Sequence, residues 1–84
     1  MIITFIKKLD LQDGFHPEFF FNRIYTAAGI RFHVSVIDGA GKLSQFIMAD
    51  QHRAWKIVSD PLPPDWIVAL EARLSQVICE NMLS

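Results

Sequence analysis

The chain has 84 residues, 51% of them hydrophobic and 20% charged, with a formal net charge of −1. That length suits one domain spanning residues 1–84, and the apolar content argues against disorder. The eight basic residues are scattered, which disfavours nucleic acid as a partner, and a lone cysteine excludes an internal disulfide.

Ile2 to Leu9 is rich in strand formers, with Ile2, Thr4 and Ile6 alternating with Ile3 and Phe5. It reads as an edge strand whose Lys7 and Lys8 discourage unwanted pairing. Those lysines also break the order of a secretory signal, and no stretch approaches the ~20 apolar residues of a membrane span. The expectation is a soluble, cytoplasmic protein. Asp10 to Pro17 reads as a loop around an Asp13-Gly14 turn. It has a faint likeness to a calcium loop, but the twelfth position is Phe21, which cannot coordinate the ion.

Glu18 to Thr26 supports two readings. Pro17 and Glu18 could open a helix that Gly29 closes. Phe19-Phe20-Phe21 and Ile24-Tyr25-Thr26 favour a strand, which is the reading adopted. Ala27 to Gly29 then serves as a three-residue hairpin loop. Ile30, Phe32, Val34 and Val36 alternate with Arg31, His33 and Ser35, the period of a half-buried strand. Asp38 to Lys42 reads as a bulged turn with Gly41 in the left-handed position. This sets Val36 opposite Ser44, Val34 opposite Phe46 and Phe32 opposite Met48. A four-residue loop at Asp50 to Arg53 then sets Met48 opposite Trp55 and Phe46 opposite Ile57.

Three prolines between Asp60 and Pro64 mark a hard break. Ile67, Leu70, Leu74, Val77 and Ile78 follow at helical spacing, with Trp66 beside them as an anchor. They predict one amphipathic helix over residues 65–81. The expected fold is α+β: a four- to five-stranded antiparallel meander with this helix packed on one face. The expected core is Phe32, Val34, Val36, Phe46, Met48, Trp55, Ile57, Leu70, Leu74 and Val77.

Chemistry-bearing motifs are sparse. His16, His33 and His52 lack metal-ligand spacing, and Cys79 sits toward the end of the predicted helix, where the dipole opposes a thiolate. Asp38 and Asp50 occupy turn positions that aspartate favours. Gly39-Ala40-Gly41 lacks the features of a phosphate loop. No catalytic, metal or cofactor residues are assigned, and an enzyme is not expected.

The second sheet face is more informative. The register puts Arg31, His33, Ile37, Leu43 and Ile47 on the side away from the helix. A three-residue loop at Ala27 to Gly29 adds Phe19, Phe21 and Tyr25 to that face and turns Phe20 and Ile24 to the core. A contiguous apolar patch of this kind marks an interface. The expectation is a non-catalytic interaction domain whose partner is a second copy of itself, as a symmetric homodimer, or another protein. The N-terminal segment folding back over the patch is the competing cover. Two alternatives stay open: a small-ligand pocket between helix and sheet, and single-stranded nucleic acid stacking on Phe19, Phe21 and Tyr25.

Overall fold

Five strands form one antiparallel sheet in which neighbours in space are neighbours in sequence, so the chain folds as a meander. They are β1 (Thr4–Lys8), β2 (Glu18–Thr26), β3 (Gly29–Ile37), β4 (Leu43–Gln51) and β5 (Ala54–Ile57). Two helices follow, α1 (Asp65–Val68) and α2 (Glu71–Leu83). The architecture is the α+β arrangement expected, with all five strands formed. The computed structural model describes residues 4–12 and 14–83. Ile2 and Ile3 of the predicted first strand, and Asp13 of the predicted turn, lie outside the described residues.

The β3–β4 connection forms as the glycine pattern requires. Gly41 adopts φ +84°, a conformation that a side chain resists. Asp38 and Lys42 close the loop, with the Asp38 N–H donating to the Lys42 carbonyl at 2.9 Å. The Asp38 carboxylate accepts from the backbone N–H groups of Ala40 and Lys42 at 2.9 and 2.8 Å. Phe32 therefore pairs with Met48, Val34 with Phe46 and Val36 with Ser44, the predicted register.

The β4–β5 connection is tighter than expected. Asp50 and Gln51 remain in the ladder, paired with Trp55 and Ala54, so the loop is only His52-Arg53. Both loop residues take positive φ, 54° and 69°, which gives a two-residue turn whose twist matches the strands it joins. Met48 consequently faces Ile57, not Trp55. The slip is two residues, an even number, so every β5 side chain keeps its predicted face.

The β2–β3 loop differs by an odd number. Thr26 pairs with Gly29, leaving Ala27-Ala28 as the loop. The Thr26 hydroxyl donates to the Gly29 carbonyl at 2.8 Å and accepts from the Ala28 N–H at 3.2 Å. Every β2 side chain is thereby moved to the face opposite its expected one. Phe19 and Phe21 pair with Val36 and Val34, and both are fully buried against the helices.

The predicted single helix is two. After Asp65–Val68 the Leu70 N–H donates to the Ile67 carbonyl, a tighter turn, before α2 begins at Glu71. Ile67, Leu70, Leu74 and Ile78, drawn from both helices and the turn between them, all enter the core. Ile57 is only partly buried, because the rest of the predicted core takes the interior with Phe19, Phe21, Ile67 and Ile78. Aromatic rings bind the layers. Phe5 stacks on Phe21 at 4.7 Å, Phe32 meets Trp55 edge-on at 5.1 Å, and Trp66 tilts against Phe19 at 6.2 Å.

The outer edge of β5 is closed by α2. The Trp55 N–H donates to the Ser75 hydroxyl and the Ile57 N–H to a Glu71 carboxylate oxygen, both at 2.9 Å. The other Glu71 oxygen lies 3.7 Å from the Lys56 ammonium. Two donors that an edge strand would leave bare are thus satisfied by side chains.

Truncating Phe46 or Trp55 to alanine should destabilise the protein by ~3–5 kcal/mol in denaturant titration, since each leaves a cavity in a small core. Ser75→Ala should cost about 1 kcal/mol and speed hydrogen exchange at the Trp55 amide, which loses its acceptor.

Candidate interaction face of the sheet

The face turned away from α1 and α2 can be read row by row from the ladder. Lys8 lies opposite Glu18, and Ile37 opposite Leu43, at one end. The next row runs Ile6, Phe20, Ser35, Gln45. The third runs Thr4, Asn22, His33, Ile47, with the Thr4 hydroxyl donating to the Asn22 side-chain oxygen at 2.9 Å. The fourth runs Ile24, Arg31, Ala49, Lys56.

Five of the predicted interface residues, Arg31, His33, Ile37, Leu43 and Ile47, do lie on this face. Ile37 and Leu43 are exposed, and Arg31, His33 and Ile47 are half-buried. Phe19, Phe21 and Tyr25 do not, because the two-residue loop at Ala27-Ala28 inverts β2. Phe19 and Phe21 are core residues with 0% exposure. Tyr25 points to the helix side opposite Ile30 but stands at the strand end, exposed. Phe20 and Ile24, expected in the core, take the outer face instead.

The apolar patch survives the inversion with a changed membership. Ile6, Phe20, Ile37 and Leu43 are 53%, 41%, 53% and 54% exposed, large values for side chains of this kind. Among the described residues no N-terminal segment folds across them. Residues 4–8 extend the sheet at its edge, and Leu9 and Leu11 turn toward the core on the helix side.

Phe20 is hard to place from parity alone. Phe19-Phe20-Phe21 offers an aromatic to either face, so its composition carries little parity information. Arg23 then sits in the same parity set as Phe19 and Phe21, which reads against burial. In the fold its guanidinium lies 5.8 Å from the Phe32 ring centroid, so the charge ends the buried row over an aromatic face. The two-to-one count of phenylalanines at positions 19 and 21 against 20 was the available signal.

Elsewhere the space between sheet and helices is filled by Phe32, Val34, Phe46, Leu74 and Ile78, all at 0–1% exposure. Open clefts lie at the rim. One of about 290 Å³ is bounded by Ile30, Asp50, Trp55 and Met82. Another, of about 500 Å³, lies between Phe15, Trp66 and the Asp38–Ala40 turn. Among the described residues no three His, Cys, Asp or Glu side chains come together to hold a metal ion. Cys79 is free and exposed, and no described helix is long and apolar enough to cross a membrane. The chain matches no protein-family model, no curated protein and no solved structure.

The inverted β2 has a direct thermodynamic signature. Phe21→Ala should cost ~3–5 kcal/mol, while Phe20→Ala should change the stability of the monomer by less than about 1 kcal/mol. Equal losses at the two positions in denaturant titration would contradict the observed pairing.

Proposed function

We propose that this protein is a non-catalytic, cytoplasmic interaction domain that self-associates as a two-fold homodimer through the sheet face opposite the helices. The exposure of Ile6, Phe20, Ile37 and Leu43 on that uncovered face is the observation that carries the reading. Scattered apolar side chains are ordinary on a surface, but four large ones on one sheet face are not.

The dimensions support it. Strands ~4.8 Å apart with a rise of ~3.3 Å per residue give a five-stranded face of roughly 550–600 Å². That approaches the ~800 Å² per partner of a standard stable interface. Two such faces can stack ~10 Å apart with interdigitating side chains, as in a sandwich.

A second copy is the occupant this patch itself supplies, since a two-fold interface needs only one self-complementary apolar surface. Lys8 stands opposite Glu18, so the end of the face that carries Ile37 and Leu43 is balanced in charge, while Arg31 and Lys56 leave the other end basic. The titratable groups of the face are spread over its strands, without the convergence of acid, base and nucleophile that catalysis requires. The free, exposed Cys79 fits a reducing compartment.

The double variant Ile37→Glu, Leu43→Glu places two carboxylates beside Glu18. Light scattering across a dilution series should give a dimer mass for the native chain and a lower mass for this variant, with the melting temperature of the dilute protein unchanged. A native chain that is monomeric at every concentration, or a variant with undiminished mass, would remove the proposal.

A further inference from the structure

The two edges of the sheet are treated differently, and the difference identifies a second association surface. At β5 the outward N–H groups of Trp55 and Ile57 are taken by Ser75 and Glu71. At β1 the sheet ends, with β2 the one strand beside it among the described residues. Which β1 groups point outward follows from one bond. The Leu9 N–H donates to the Pro17 carbonyl across the β1–β2 connection at 3.0 Å. Antiparallel ladders alternate, so Lys7 and Phe5 also exchange bonds with β2. Thr4, Ile6 and Lys8 then direct their N–H and C=O groups away from the sheet.

We infer that the β1 edge pairs antiparallel with the β1 edge of a second copy, with Ile6 on the two-fold axis. Outward-pointing residues must meet outward-pointing residues, which limits the registers. A two-fold at Lys7 or at Lys8 would set two lysines directly opposite each other, which is destabilising. A two-fold at Phe5 would set Ile6 opposite Thr4 and so part the apolar row that Ile6 forms with Phe20. The Ile6-centred register uses all five, Thr4 to Lys8. It sets Lys8 opposite Thr4 and Lys7 opposite Phe5 of the second copy, so no like charges face each other.

The same register joins apolar surface to apolar surface. Ile6 is cross-strand from Phe20, so pairing creates the continuous row Phe20–Ile6–Ile6–Phe20 over two copies. The axis stands perpendicular to the sheet, and both outer faces look the same way. This interface shares no hydrogen bond with the face-to-face dimer proposed above and does not rest on it. Where the two perpendicular two-folds intersect they give a dimer of dimers, a common closed symmetry. A five-residue strand pair falls well short of the ~800 Å² per partner of a standard interface, so edge pairing by itself is weak and concentration-dependent.

Amide hydrogen exchange tests the pairing directly, and the Ile37→Glu, Leu43→Glu variant separates it from the face-to-face dimer. In that variant, over a dilution series from millimolar to micromolar protein, the Phe5 and Lys7 amides should be protected throughout by β2. The Ile6 and Lys8 amides should gain protection only as concentration rises. Ile6→Pro removes an outward N–H that the β1–β2 ladder does not use, at an edge position where proline is tolerated. In the same background it should abolish the concentration-dependent protection of Lys8 and any residual rise in mass. Ile6 and Lys8 amides that exchange at the unprotected rate at every concentration would overturn the inference. So would protection that appears only when a different protein is added, which would assign the edge to a foreign strand. The wild-type side chains of β1 suffice for the exchange reading, so its outcome does not depend on the proline variant folding.

Discussion

A strand residue can point to one side of its sheet or the other, and the pleat allows nothing between. This constraint governs the whole molecule, because the helices cover one side only. α2 has thirteen residues, about 20 Å of helix at the usual rise. It runs alongside β5, its successive turns at Glu71 and Ser75 meeting the Ile57 and Trp55 amides. The helix-side face is buried at its centre, where Phe19, Phe21, Phe32, Val34 and Phe46 lie at 0–1% exposure. On the second face Ile6, Phe20, Ile37 and Leu43 stay exposed among the described residues.

Hydrogen-bonding capacity is distributed with the same asymmetry. The helix layer leans on β5, where Glu71 performs two tasks, accepting from the Ile57 backbone and facing Lys56. Ser75, one turn along, accepts from the Trp55 amide. Both are polar residues at half-buried helix positions, and each satisfies a backbone donor that would otherwise lie beside the core. Among the described residues nothing comparable guards β1, whose charges are those of Lys7 and Lys8. Lysines limit indiscriminate strand addition without forbidding a register in which each faces a neutral residue.

Much of this was legible in the sequence because local chemistry decided it. The Asp38–Lys42 turn follows from Gly41 and from an aspartate that binds two backbone amides. That turn sets the β3–β4 register, and the alternation in β3 identifies its buried side. The helical spacing of Ile67, Leu70, Leu74 and Ile78 identifies the covering layer. Arg31, His33, Ile37, Leu43 and Ile47 follow on the outer face because they depend on nothing else.

What only the tertiary structure decided was the length of the two remaining loops, and through it the face of β2. His52-Arg53 can adopt a tight turn with positive φ only because the strands it joins already pair, and neither residue announces that conformation. There the sequence reading erred by two residues, and the period of two left the faces unchanged. At Ala27-Ala28 it erred by one, and Phe19 and Phe21 exchanged sides with Phe20 and Ile24. Three consecutive phenylalanines fit a strand either way up. The choice fell to what lay on each side: a helix layer, with Phe5 and Trp66 to receive the rings of Phe21 and Phe19, against an open face that offered none.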